Sequence, residues 1–148
     1  MARPKPPAPT TASADDIEIA LYEAMRRGDL DGLMALWSDD DDIACVHPGG
    51  PRLLGAAAIR ASFESIFANG AIHAVPEKVR RVTSLTSAVH SVLERVQVMA
   101  PDGPHSAWVI ATNVYLKGAQ GWRLVAHHAS PGTPQEVQEI IEATSTLH

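Results

Sequence analysis

Between Ile72 and Ser130 the chain carries four segments rich in Val, Thr and Ile, near 72–85, 88–99, 107–117 and 122–130. Their links are short and made of turn residues: Ser84–Ser87, Pro101-Asp102-Gly103-Pro104 and Gly118-Ala119-Gln120-Gly121. Long extended segments joined by so few residues must lie side by side in alternating directions, so an antiparallel meander is expected. No other stretch restricts the possible folds as strongly.

Before Ile72 the apolar residues follow the other period. Ser13-Ala14-Asp15-Asp16 is a capped helix start, with acids placed favourably against the helix dipole. Ile17, Leu21, Ala24 and Met25 then give residues 15–27 one apolar face. Gly28 ends that helix and Asp29 caps a second, with a buried stripe of Leu30, Leu33, Met34 and Trp37. A third helix over about 56–69 buries Ile59, Phe63, Ile66 and Phe67, and Asn69-Gly70 closes it. Between the second and third lies a short strand, Ile43–His47, stopped by Pro48-Gly49-Gly50-Pro51, after which Leu53-Leu54-Gly55 turns into the helix. Helices followed by a meander predict an α+β fold, with three N-terminal helices packed on one face of a mostly antiparallel sheet.

One domain is expected over 13–132. Residues 1–12 are expected to be a flexible Pro-rich head, without the apolar run of a secretory signal. Residues 133–148 are expected to be a tail in which Thr133-Pro134-Gln135-Glu136 opens a helix over 134–142, with Val137, Ile140 and Ile141 as a narrow docking stripe. The formal charge of −5, with no basic cluster beyond Arg80-Arg81, speaks against a nucleic-acid surface. No stretch approaches the roughly 20 apolar residues of a membrane span. The lone Cys45 excludes an internal disulfide and suits a reducing, cytoplasmic compartment; mid-strand among apolar residues, it is expected to be a buried inert thiol. No cofactor or metal is expected, since no phosphate loop, dinucleotide fingerprint, HxxxH or CxxC occurs. The run Asp39–Asp42 lacks a calcium-loop spacing and is expected to be a solvated turn.

The turns allow the sheet faces to be worked out. With Ala119-Gln120 as a two-residue loop, Lys117 opposes Trp122 and Asn113 opposes Ala126. His128 then lies on the Asn113 face and His127 points away, unless a bulge exchanges them. An even-numbered turn at Pro101–Pro104 sets Glu94 opposite Ala111, so Glu94, Asn113 and His128 converge, with His90 on the same side and Tyr115 beside them. The opposite face carries Trp108, Ile110, Thr112, Val114 and Val125, and this apolar surface predicts a homodimer.

Several stretches resemble the nuclear transport factor 2-like superfamily: Gly28-Asp29-Leu30-Asp31-Gly32, the passage from Trp37 to His47, Gly55 with Ala58-Ile59-Arg60, and Gly121-Trp122-Arg123-Leu124-Val125. The closing Trp122 and His128-Ala129-Ser130-Pro131-Gly132 are most similar to SnoaL-like bacterial proteins and to the calcium/calmodulin-dependent kinase II association (hub) domain. The resemblance covers about 13–132 and implies a cone: a strongly curved sheet wrapped around helices, with a pocket between them. The hub domain's pocket arginines fall on Glu94, Asn113 and Ala129, so its anion-binding cluster is not reproduced. A weaker resemblance to ketosteroid isomerases puts His47, before Pro48, at the position of their catalytic aspartate. Their oxyanion tyrosine aligns with Leu21, Tyr22 being one helical step off, and their protonated aspartic acid falls at Thr112 or Asn113.

These readings define a candidate ligand-binding pocket. His47, Glu94, Asn113 and His128 supply its polar groups and Leu33, Trp37, Ile59 and Phe63 its apolar walls, suiting a small, partly apolar ligand. His47 is a candidate general base, or else bonds the following turn and fixes the strand end. Glu94 is a candidate acid with a raised pKa, or else pairs with Arg80, Arg81 or Arg123. Two function classes follow: a small-molecule-binding or assembly protein, and a cofactor-free isomerase, lyase or hydrolase using His47 with Glu94 or Asn113.

Overall fold

The structure, a computed structural model, describes residues 12–133. The Pro-rich head up to Thr11 and the tail helix expected at 134–142 lie outside the described residues. The first helix, α1 (Ala14–Arg27), begins with a reciprocal cap. Ser13 Oγ accepts from Asp16 N at 3.2 Å and Asp16 Oδ2 accepts from Ser13 N at 2.9 Å. It ends at Gly28, whose φ of 63° is left-handed and favours glycine. Asp29 caps α2 (Leu30–Ala35) by accepting from Gly32 N at 3.0 Å, and α3 (Ala56–Phe67) follows the turn at Gly55.

Two three-residue strands, β1 (Ala44–Val46) and β2 (Arg52–Leu54), pair with each other between α2 and α3. The second was not expected: three residues are too few to show a period, and Leu53-Leu54 looks like a turn into the helix. The meander consists of β3 (Ala74–Thr83), β4 (Ser87–Ala100), β5 (Gly103–Gly118) and β6 (Gly121–Pro131). The sheet order is β2-β1-β6-β5-β4-β3, antiparallel except where β1 runs parallel to β6. Just before β1, Ser38 N donates to Leu124 O and Leu124 N to Leu36 O, both at 2.8 Å, which carries Trp37 into the interior.

One sheet face is inward. Along β4 the buried residues are Ala88, His90, Val92 and Glu94, and along β5 they are Ala111, Asn113 and Tyr115. Ile17, Leu21 and Met25 of α1, Leu33, Trp37, and Ile59 and Phe63 of α3 pack against them. Strict alternation on a pleated strand explains why each interior residue has an outward neighbour.

Two register details decide which polar groups meet. The β4–β5 turn is Pro101-Asp102, so Glu94 pairs with Val109 instead of Ala111. The offset is two residues, and the face is therefore the one expected. In β6 the register shifts: Tyr115 pairs with Leu124 but Val114 pairs with Ala126, leaving Val125 as an extra residue. Beyond this bulge Asn113 faces His127, and His128 is exposed opposite Thr112. The expectation that His128 shares the Asn113 face is thus corrected.

Candidate functional site

The cone's interior holds a connected polar cluster drawn from one helix and three strands. Glu18 Oε2 accepts from Tyr115 Oη at 2.7 Å, from His90 Nδ1 at 2.8 Å and from Asn113 Nδ2 at 3.3 Å. Asn113 Nδ2 also donates to Tyr22 Oη at 3.1 Å, and Tyr22 donates to Glu94 Oε2 at 2.6 Å. With both amide protons of Asn113 engaged, its Oδ1 accepts from His127 Nδ1. That bond leaves His127 with its proton on Nδ1 and its lone pair on Nε2. All seven residues are buried or nearly so.

Burial sets the protonation of this cluster. Desolvation raises the Glu94 carboxyl from 4.5 to about 7, against the lowering influence of the Tyr22 hydroxyl, and nearby Glu18 adds to the rise. Tyr22 and Tyr115 are pushed well above the ordinary phenol range, first by burial and then by the neighbouring glutamates. Burial lowers His127 to about 4, with His47 and His128 adding positive repulsion. A neutral imidazole and a carboxyl that titrates near neutrality therefore sit together in an apolar interior.

His47 is half-buried at the end of β1, its ring edge against Phe63 with centroids 4.9 Å apart. Its Nε2 lies 3.0 Å from Ser62 Oγ, which itself donates to Ile59 O at 2.8 Å. Since the serine proton is used there, Nε2 carries the imidazole proton and Nδ1 the lone pair. Burial lowers the His47 pKa, so the ring is an available base at neutral pH. It is α3, through Ser62, that holds the ring, while the turn is held by the backbone bond from Gly50 N to His47 O at 2.8 Å. Cys45, buried in mid-strand, is pushed up to about 12 by desolvation.

Of the expected pocket residues, Glu94 and Asn113 belong to the polar cluster, and His47 stands at its margin, near enough to perturb His127. Leu33, Trp37, Ile59 and Phe63 are fully buried in the core. His128 is on the outside. Glu94 is held by Tyr22 and by no arginine among the described residues; Arg81 pairs instead with Asp15 at 2.7 Å. A cavity of about 820 Å³ opens between Asp39–Asp42 and the β5–β6 turn, and one of about 310 Å³ near the start of β3. Neither takes a wall from these eight residues. No set of three or more His, Cys, Asp or Glu among the described residues is disposed to hold a metal. No helix among them is long and apolar enough to cross a membrane.

Glu18 and Tyr22 were missed as site residues, whereas His127 takes the place that a bulge in β6 would give it. Ala14, Glu18, Tyr22 and Met25 recur at intervals of four, four and three, so a glutamate within the apolar stripe of α1 was the available signal. Tyr22, placed one step off by the isomerase alignment, does reach the interior.

A cone of curved sheet around helices, with polar groups buried inside, defines the cystatin-like, nuclear transport factor 2-like class of α+β folds. Within that class the chain belongs to the SnoaL-like domain family, which it matches over residues 17–134. A putative calcium/calmodulin-dependent protein kinase type II association domain from Thiobacillus denitrificans is 35% identical, with a TM-score of 0.75 over 86% of this chain and 99% of that one. A putative dehydratase of the NTF2-like family from Streptomyces avermitilis is 32% identical, with a TM-score of 0.70 over 78% and 91%. A ketosteroid isomerase-like protein from Erwinia carotovora atroseptica, 21% identical with a TM-score of 0.66 over 81% and 94%, shares the fold. Comparison with curated proteins gives no match.

Proposed function

We propose that, of the two roles in the small-molecule-binding or assembly reading, this protein serves assembly, built as a homodimer across the outer face of β4, β5 and β6. The observation that carries the reading is the composition of that face. Trp108, Ile110 and Val114 are half-buried, and Val89 and Leu116 are 39% and 47% exposed. A second copy would remove this apolar surface from water. The 35% identity to an association domain favours the same reading. Light scattering coupled to size exclusion should give about twice the 15.8 kDa chain mass. Trp108→Glu should return it to one chain, because an unpaired carboxylate at an apolar interface is costly. A wild-type monomer at micromolar concentration would overturn the assembly reading.

A second reading, a cofactor-free acid–base enzyme, is favoured by the Tyr22–Glu94 pair at 2.6 Å with its carboxyl raised to about 7. His47 Nδ1 would take a proton from carbon next to a carbonyl, protonated Glu94 would hold the developing oxyanion, and the imidazolium would return the proton to the departing β-hydroxyl, which leaves as water. The 32% identity to a putative dehydratase suggests β-hydroxy ketones as first substrates, losing water to form enones that absorb in the ultraviolet. His47→Gln should then lower kcat by roughly 10²–10⁴-fold while KM changes little. Absence of turnover across such a panel would remove this reading and leave the first standing.

A further inference from the structure

We propose that the 310 Å³ cleft at the start of β3 is a binding site for a small oxyanion, a carboxylate or a phosphate monoester, held by Arg26 and Arg95. The sheet register builds it. Gln97 N donates to His73 O at 2.9 Å, and Gln97 pairs with Ser106, so His73, Gln97 and Ser106 form one cross-strand row. Val75, Arg95 and Trp108 form the next row on the same face, two residues along each strand. The first row brings an imidazole, an amide and a hydroxyl together, and the second adds a guanidinium.

The other guanidinium arrives from a different element. β3 is the last strand of the sheet, so one side of its backbone has no strand partner. Arg26, in the last turn of α1, reaches this free edge and donates from Nη1 to Ala74 O at 2.9 Å. That bond fixes the side chain at the cleft it lines and uses one of its five N–H donors. Arg95 meets Glu77 through Nε at 3.3 Å, and its two Nη atoms take no other partner among the described residues.

The cleft wall contains Arg26, His73, Val75, Arg95, Gln97 and Ser106, with no acid among them, in a chain whose formal charge is −5. Two forked cations with polar side chains between them match an oxyanion's lone pairs, and the Arg95 fork keeps its two Nη atoms for the ligand while Nε faces Glu77. The volume is at the small end of ligand sites, which selects a compact anion. The site is separate from the interior cluster, because Arg95 and Glu94 are adjacent on one strand and point to opposite faces. It therefore holds or falls independently of the acid–base reading, and because Arg95 shares its row with Trp108 it lies beside the proposed dimer face.

The test is a two-dimensional amide NMR titration of the full chain with inorganic phosphate and, separately, malonate, against sodium chloride at matched ionic strength. Saturable shifts confined to the amides around His73, Arg95–Gln97 and Ser106 are expected, and chloride should not reproduce them. Arg95→Gln and Arg26→Lys should each weaken binding by roughly tenfold or more, since charge-assisted forked bonds are lost. Arg26→Lys keeps a donor for the Ala74 carbonyl, and the spectrum without anion reports whether each variant is folded. Saturation by phosphate alone identifies a phosphate monoester site, and by malonate alone a carboxylate site. Shifts that never saturate, shifts scattered over all cationic side chains, or unchanged binding in folded Arg95→Gln would overturn the proposal.

Discussion

Replacing Glu94 with Gln should expose two opposing pH dependences that nearly cancel in the wild-type interior. Glu94 lies at about 7 when folded, against an ordinary value of 4.5. Between those values the folded protein keeps a proton that the unfolded chain has released. The resulting stability is whole below pH 4.5 and is lost as pH climbs through 7. At about 1.4 kcal/mol per pH unit, that interval amounts to about 3 kcal/mol. His127 behaves in the reverse sense, with its folded value near 4 against 6.5. Here the unfolded chain holds the extra proton, so the contribution is present above 6.5 and lost as pH falls through 4, again by about 3 kcal/mol. His47, also lowered, adds to the histidine side.

Glu94→Gln preserves shape and an acceptor for Tyr22 while removing only the carboxyl titration. Urea unfolding followed by Trp fluorescence at pH 4.5, 5.5, 6.5 and 7.5 measures the difference between variant and wild type, in which all other groups cancel. That difference should move in the variant's favour by about 3 kcal/mol from the lowest pH to the highest. In the variant alone, the histidine slope should appear as stability rising with pH. A difference that stays constant across the series would refute the argument, because it would mean that Glu94 keeps no extra proton on folding.

Tyr22→Phe should cost roughly 1–3 kcal/mol, since Glu94 and Asn113 both lose a buried partner. It should also raise the Glu94 pKa further, which a carboxyl-carbon NMR titration measures, because the Tyr22 bond is what lowers it. Cys45, pushed up to about 12 and fully buried, should react with a disulfide reagent at pH 8 only as fast as the chain opens. Immediate stoichiometric labelling of the native protein would contradict its placement.

What could be read in advance followed from local chemistry. The three helices, the order of the meander strands and the inward face of β4 and β5 rest on caps, turns and period, all contained within a few residues. Glu94 and Asn113 were placed on one face even though the β4–β5 register differed by two, because an even offset preserves the face. The Val125 bulge is an odd offset and exchanged His128 for His127. Nothing in Trp122–Ser130 marks the extra residue. Its place follows from how β6 must satisfy β5 on one side and β1 on the other. The parallel β1–β6 pairing, the three-residue β2 and the reach of Glu18 into the strands are non-local for the same reason.

The position of β6 also has a consequence for how the chain acquires its fold. It lies between β1 and β5, and Ala44 pairs with Ala126, 82 positions later. A chain emerging from the ribosome in order would expose the apolar sides of α1, α2 and α3 and the unpaired edge of β1 before the strand that joins them exists. The helices and the β3–β4 hairpin can form early, but the cone closes only when a late strand inserts into the middle of the sheet. Closure over so long a loop is a slow, non-local step, and until it occurs the exposed edges are open to pairing with another chain. Those contacts of β6 with its two neighbours that form during the insertion itself would therefore set the rate at which the protein escapes that exposed state.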